Sequence, residues 1–251
     1  MTSSLDSAIE ILANSQRLLV FTGAGISTES GIPDFRGPEG VWTKVDPADF
    51  TIQRFMASSD HRERDWERRF SSGVTDAAPN AAHFAVADLV QNGPAIGVVT
   101  QNIDGLHHAA GLDPTEVVEL HGSSRVAECV ECAIVESIDE VRARWQAGER
   151  DLRCPSCQGI VKPGVVLFGE ALPAAEVARA NSMAAVADAV LVIGSTLSVY
   201  PAAFVPLDVV SAGNPMIIVN LGPTDHDQLA TTVVEASAGE AVPAIAAALS
   251  S

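Results

Sequence analysis

Short apolar runs recur along the chain, and each ends at once on polar residues or glycine. Residues 17–21 run into Thr22-Gly23, 95–100 into Gln101-Asn102-Ile103-Asp104, and 117–120 into His121-Gly122. Residues 189–193 close on Gly194-Ser195-Thr196, and 216–219 on Asn220-Leu221-Gly222. Runs of this length, mainly apolar and charged only at Arg17, at one end, and at Glu119, predict strands buried on both faces. Helical periodicity lies between them. Leu5, Ile9 and Leu12 share one face of a helix over 5–13 capped by Ser3 or Ser4, and 79–90, 172–187 and 240–249 also read as helices. A further helix is expected to begin in 225–231. Residues 49–70 read as helical and highly charged, anchored by Phe50, Phe55, Met56, Trp66 and Phe70, with His61 in a charged surface run; a helical insertion packed over a ligand site and a plain surface helix pair both fit.

Strands alternating with helices predict an α/β fold: a Rossmann-like parallel sheet with a smaller zinc-binding and helical domain inserted. Pro33, Pro38 and Pro47 punctuate 31–47 as a loop or short-helix lid. The expected division is a discontinuous sheet domain from 1–42, 79–124 and 161–251, a helical insertion at 43–78, and a cysteine-bearing module at 125–160. Ligands of such sheets sit at the carboxyl ends of the strands. All the polar clusters fall there, which predicts one shared site.

All four cysteines lie in that module, as Cys129-x-x-Cys132 and Cys154-x-x-Cys157. Two such knuckles suit one tetrahedral, structural Zn2+ held by four thiolates, with no open coordination position. Two disulfides or a redox pair are the alternatives. With four ligands committed, no cysteine is left as a nucleophile.

Composition narrows the partners. The chain has 251 residues, 47% of them hydrophobic, and a formal net charge of -17. That charge argues against a direct nucleic-acid grip and is compatible with a basic peptide. No basic leader with a hydrophobic stretch opens the sequence, and no apolar run reaches membrane-spanning length, so a cytoplasmic protein is expected. The oligomeric state stays open, a monomer included.

The glycine-rich stretch 23–37, G-A-G-I-S-T-E-S-G-I-P-D-F-R-G, follows the first strand. Glycine lets backbone approach a pyrophosphate, and free N–H groups hold its charge. Ser27, Thr28, Glu29, Ser30, Asp34 and Arg36 are more polar groups than a plain turn requires. His121, at a strand end before a glycine, suits a general base, with a buried structural histidine as the alternative. Asn102 and Asp104 suit a carboxamide and a ribose, although an N-cap would also explain Asp104. Ser195, Thr196 and Asn220 suit phosphate or ribose hydroxyls. His83 reads as packing or capping. No G-x-S-x-G elbow or G-K-[S/T] loop occurs.

Together these stretches resemble the sirtuins, NAD-dependent protein lysine deacylases. The carriers are 23–37, T-Q-N-I-D-G-L-H at 100–107, His121-Gly122, the two C-x-x-C pairs, K-P-G-V-V-L-F-G-E at 162–170, G-S-T-L-S-V-Y-P-A at 194–202 and V-N-L-G at 219–222. The resemblance implies that Gly23, Ala24, Gly25, Glu29, Asp34, Phe35, Arg36 and Trp42 border an NAD cleft and that Gln101 meets the nicotinamide ribose. It implies a nicotinamide pocket from Asn102, Ile103 and Asp104, the first and last sharing the catalytic role, with His121 as the base. Gly194, Ser195 and Thr196 would meet the dinucleotide backbone, and Asn220, Leu221, Gly222 and Ala238 the adenosine half. Val166, Leu167, Phe168 and Gly169 on one side and Leu197, Ser198 and Val199 on the other would clasp an acyl-lysine peptide by strand addition. NAD would be consumed, with release of nicotinamide and 2′-O-acyl-ADP-ribose. Mono-ADP-ribosyl transfer and a non-catalytic NAD-binding module are the alternatives.

Three departures refine the expectation. The Tyr-x-x-Arg pair of desuccinylase-type members is missing, since Tyr200 is the only tyrosine and Asp65-x-x-Arg68 or Trp66-x-x-Arg69 stands in that region. Residues 64–70, with Gly222-Pro223-Thr224 and Asp227-x-Leu229-Ala230, resemble the subgroup holding the mitochondrial lipoamidase sirtuin. Gly164 stands where the family has Asp or Asn, and is expected to loosen the loop before the substrate strand.

Overall fold

The computed structural model describes residues 3–37 and 40–250, so Pro38 of the loop and the first two residues lie outside it. Helix α1 (Ser4–Leu12) starts on a capping box in which Ser3 and Asp6 each accept the other's backbone N–H. Strand β1 (Leu18–Thr22) leads into a 3-10 helix, Ala24–Ser30, in place of an irregular loop. Two further 3-10 turns, Val41–Thr43 and Pro47–Phe50, precede α2 (Ile52–Ala57) and α3 (Ser59–Ser71). Then come α4 (Ala81–Gln91), β2 (Ala95–Thr100), α5 (Leu106–Ala109), β3 (Val117–Glu119), β4 (Gly122–Cys129), β5 (Val135–Ser137), α6 (Ile138–Gln146) and β6 (Val161–Val165). The chain ends with α7 (Ala174–Val186), β7 (Ala189–Ile193), α8 (Phe204–Ser211), β8 (Met216–Val219), β9 (Thr232–Val234) and α9 (Ala238–Leu249).

Six strands form one parallel sheet in the order β3-β2-β1-β7-β8-β9. The direction of strand addition reverses between β1 and β7. A crevice therefore opens above their carboxyl ends, where open α/β sheets bind ligands. Alternate side chains feed two cores: Leu18 and Val20 of β1 face one layer of helices, Leu19 and Phe21 the other. Fully apolar strands are the consequence of burial on both faces.

The structure departs from the sequence reading at several places. Residues 225–231 do not begin a helix. They form a 3-10 turn, Asp227–Leu229, and hand over to β9 beside β8. Thr224 Oγ1 donates to Asp227 Oδ1 at 2.6 Å, a local bond that competes with helix, and the β-branched run Thr231–Val234 then extends the sheet. The 49–70 segment is two helices, broken at extended Ser58, whose hydroxyl caps α3 by accepting the His61 N–H at 3.3 Å. His61 is buried, not on a charged surface, and its Nε2–H donates to the Asp49 carbonyl at 2.9 Å. Helix α8 had no sequence signal.

β4, β5 and β6 make a separate antiparallel sheet. It therefore takes in 122–124 and 161–165 as well as the cysteine stretch. Trp66 of α3 is fully buried against Ala127, Cys129, Val141, Leu152, Cys154 and Val161, and its ring stacks on Phe70 at 5.4 Å between centroids. The helical insertion and the cysteine module thus share one small core. Gly164 lies within β6 rather than in a loop, and a Cβ there would lie 2.6 Å from Val126 Cγ2. Across the same pair of strands, a Cβ on Gly122 would fall 2.2 Å from the Gly164 carbonyl.

Candidate active site

Closest approach at the switch point depends on glycine. Gly23 N–H donates to the Ile193 carbonyl at 3.0 Å, and Gly25 N–H to Gly194 at 2.8 Å. A Cβ on Gly194, whose φ is +61°, would lie 2.3 Å from Ile26 N. The β1 and β7 turns therefore interlock, and both present backbone to the crevice.

The polar groups around them form two hydrogen-bonded chains. In the first, Asn102 Nδ2 donates to the Gly23 carbonyl and to Ser27 Oγ, both at 3.1 Å. Ser27 Oγ donates to Asp104 Oδ2 at 2.7 Å, while Asp104 Oδ1 accepts the Leu106 N–H at 2.9 Å. Asp104 thus accepts the first backbone N–H of α5, whose N-cap is Gly105, and also stands as a polar wall. His83 Nδ1 accepts the Asn80 N–H at 3.3 Å, which leaves its Nε2–H to face Ser27 Oγ at 3.4 Å. Capping was the sequence expectation for His83; the contact with Ser27 was not.

In the second chain, Thr22 Oγ1 donates to Thr100 Oγ1 at 2.8 Å, and Thr100 Oγ1 accepts the Asn102 N–H at 3.0 Å. His107 Nε2–H therefore donates to Thr22 Oγ1, at 2.9 Å. Its Nδ1 is buried without a hydrogen-bond partner among the described residues. Burial, with His83 and His108 nearby, pushes the His107 pKa down to about 3. In an unfolded chain the ring titrates near the ordinary 6.5. The folded value is the lower one, so this contribution to stability is complete above 6.5 and is lost as pH falls toward 3. Urea unfolding is expected to show about 2 kcal/mol less stability at pH 5 than at pH 7 from this group alone. A His107→Phe variant should lose that part of the pH dependence.

His121 stands at the crevice. Its Nδ1 lies 2.8 Å from the Gln101 carbonyl, which can only accept. The ring therefore carries its proton on Nδ1 and leaves Nε2 as an open lone pair. Burial pulls its pKa below the usual histidine value, partly offset by the Gln101 carbonyl, so the ring is neutral at pH 7. Gln101 Nε2 in turn donates to Ser195 Oγ at 2.8 Å, which joins β2 to β7 across β1.

The segment after β6 is tied to the backbone of the same residue. Val166 N–H donates to the His121 carbonyl at 2.9 Å, and Phe168 N–H to Phe50 at 2.9 Å. Trp42 packs on Phe35, Phe50 and Phe168 with centroids 5.0, 5.2 and 5.9 Å away, so the 31–47 loop and the 166–169 segment meet as one aromatic wall. In the turn after β7, which carries Leu197–Val199, Ser198 Oγ is 2.8 Å from Thr196 Oγ1. Ile103 is held from behind, its carbonyl accepting Ser124 Oγ at 2.6 Å.

Other predicted residues lie at the margins. Asp34 Oδ1 accepts the Gly37 N–H at 2.8 Å and shapes the turn that carries Phe35 and Arg36. Glu29 Oε1 accepts the Gly239 N–H at 3.2 Å, beside Ala238 at the start of α9. Asn220 Nδ2 donates to the Gly222 carbonyl at 2.9 Å, and Leu221 is 70% exposed. Sequence reasoning assigned no role to Thr22, Thr100 or His107, and did not single Ser27 out of its polar run.

The four cysteine sulfurs all lie within 4.8 Å of one another. Cys129 and Cys157 are 3.5 Å apart, and Cys132 and Cys154 3.6 Å. A disulfide needs about 2.05 Å. A tetrahedron of sulfurs around zinc at about 2.3 Å has edges of about 3.8 Å, so the donor set fits Zn2+. Two of the four are buried in the small core, away from the crevice, as a structural ion requires.

Comparison with known proteins agrees with this geometry. Residues 23–201 match the Sir2 family. An NAD-dependent protein deacetylase of Caldivirga maquilingensis is 46% identical over 242 residues, covering 94% of this chain and 90% of the relative. A chain solved in work on the structural basis for the mechanism and regulation of Sir2 enzymes superposes with a TM-score of 0.90 at 42% identity, covering 99% of this chain and 98% of that one. Sir2Tm bound to a propionylated peptide gives 0.86 at 33% identity, with 97% of each chain covered. Switch-point crevice, histidine and thiolate cluster fall within one continuous likeness, and the chain belongs to the Sir2 family.

Proposed function

We propose that this protein removes acyl groups from protein lysine in an NAD-dependent reaction that releases nicotinamide and O-acyl-ADP-ribose. The observation that carries this reading is the tautomer of His121, fixed by the Gln101 carbonyl so that Nε2 keeps a bare lone pair, at the same carboxyl edge of the sheet as the bonded group Asn102, Ser27 and Asp104. NAD supplies the electrophilic ribose carbon and the leaving nicotinamide. Asn102 and Asp104, locked by Ser27, present the nicotinamide pocket, and Ile103 closes it. Gly23, Ala24, Gly25, Gly194, Ser195 and Thr196 offer backbone and hydroxyl groups to the diphosphate. Phe35, Arg36 and Trp42 cover the reacting ribose and exclude water. The crevice end bounded by Asn220–Gly222 and Ala238 takes the adenosine. His121 Nε2 takes the proton from a ribose hydroxyl. An extended acyl-lysine peptide pairs between Val166–Gly169 and Leu197–Val199, its lysine directed at His121.

The acyl group we favour is neutral. Asp65 is almost wholly buried and pairs with both Arg68 and Arg69, the latter at 2.6 Å, so both guanidinium groups are already engaged within the helix. Trp66 is committed to the small core. The Tyr-x-x-Arg pair that would hold a succinyl or malonyl tail is missing there, since Tyr200 is the only tyrosine. Together with the 64–70 and 222–230 runs, this supports a place near the subgroup of the mitochondrial lipoamidase sirtuin. A reducing cytoplasm suits the four thiolates.

Nicotinamide release with acetyl, lipoyl, long-chain and succinyl lysine peptides tests the proposal. Release is expected to depend on peptide and to be lowest with succinyl. Label from NAD left on protein, with no deacylated peptide, would point to ADP-ribosyl transfer. Preferential use of the succinyl peptide would overturn the neutral-acyl reading.

A further inference from the structure

A groove of about 320 Å³ lies between α7 and α8, beside the proposed peptide cleft. Leu120, Leu172, Val177 and Val205 floor it. Phe204 stands at its rim with 53% of its surface exposed. Asp208, also at the rim, is exposed and forms no ion pair among the described residues. The walls are continuous with the cleft. Leu120 immediately precedes His121, Leu172 follows the 166–169 segment, and α8 follows Leu197–Val199 by one short turn.

We propose that this groove binds a basic side chain of the substrate polypeptide near the acyl-lysine, and so sets the sequence preference of the enzyme. The inference rests on the deacylase reading above. An apolar floor receives the methylene stem of Arg or Lys, which buries its stem and keeps its charge at the edge. The Phe204 face attracts the cationic head, and Asp208 supplies the opposite charge. An acidic or purely apolar side chain satisfies only part of this lining. The net charge of -17 draws a cationic peptide inward from any direction. That long-range pull favours a basic residue at every peptide position alike, whereas the groove favours it in one register.

The experiment is a positional scan. Peptides identical but for a single Arg, Ala or Glu, placed at each position either side of one acyl-lysine, are compared by kcat/KM with wild type, Asp208→Asn and Phe204→Ala. A capped acyl-lysine without flanking residues serves as the reference substrate. At one position wild type should prefer Arg over Glu by about tenfold, and each variant should reduce this to about two- to threefold. Turnover of the capped substrate should be equal in all three proteins, since both side chains are exposed and outside the crevice. A flat scan, an equal preference at every position, or a preference that survives both variants would overturn the groove while leaving the deacylase reading intact. Failure to turn over even the capped substrate and every peptide would remove the deacylase reading, and the groove proposal with it.

Discussion

Replacing His121 with alanine should lower formation of deacylated peptide by about 10²–10⁴-fold, the usual range for loss of a positioned general base. The size of the effect follows from the geometry. Gln101 fixes the tautomer through a 2.8 Å bond, so no other arrangement of the ring competes with the one that offers Nε2. Thr22, Thr100, Ser27 and Asn102 are already engaged with one another and cannot replace it. Only one bond to the protein is lost, to the Gln101 carbonyl, so the variant should keep its fold and bind NAD within a few-fold of wild type. The pH profile separates a base from a structural ring. A base works when deprotonated, and burial holds the pKa of His121 below 6.5. The acid limb of kcat/KM in the wild type should therefore have its midpoint below 6.5, and the residual activity of the variant should lack that limb. An alanine variant that keeps full activity, or keeps the same limb, would remove His121 from the reaction.

Stripping the metal, or changing Cys129 to serine, should collapse the small lobe. Structural zinc in small domains is worth about 10–16 kcal/mol of apparent binding free energy at pH 7. The lobe has little else to replace it. Its core is Trp66, Val141, Leu152, Ala127, Val161 and two of the ligands themselves, Cys129 and Cys154. Loss of zinc leaves four thiols crowded at the edge of that core. Because Trp66 and Trp145 pack within or against it, chelation should shift tryptophan emission to the red. Metal analysis should return one zinc per chain. The effect on catalysis should be indirect but large, since β4 begins one residue after His121 and β6 leads into 166–169. The parallel sheet carries none of the ligands, and its strand signals should persist in hydrogen exchange. A metal-free protein with unchanged emission and activity would contradict this account.

Much of the site was legible because a parallel sheet puts its chemistry at strand ends. An apolar run stopped by Asn102, His121 or Ser195 marks both a strand and the level in the crevice to which its last residue belongs. The paired C-x-x-C knuckles were legible for a similar reason: local spacing sets a local geometry. Partners that arise only across the sheet were less so. Glu29 belongs to the glycine-rich run, and its carboxylate meets Gly239, far along the chain. The charged 49–70 stretch looked like a solvated surface, yet it buries His61, Arg62, Asp65 and Trp66. The charged groups find partners, as with Arg62 Nε donating to Asp151 Oδ1 at 2.7 Å, while the Trp66 indole N–H has none among the described residues.

By itself the sequence determined the α/β class, the strand ends that carry Asn102, Asp104, His121 and Ser195, and the four-thiolate cluster. These follow from periodicity and from short fixed spacings, which involve only neighbours along the chain. The tertiary structure alone decided the strand order that opens the crevice between β1 and β7, and the union of helical insertion and cysteine module around Trp66. It alone decided which polar groups face which: His83 to Ser27, His107 to Thr22, Gln101 to both Ser195 and His121. Those outcomes depend on parallel register and on burial. Both are settled only when distant segments compete for the same interior, where an unpaired polar group is costly and each donor must find its acceptor.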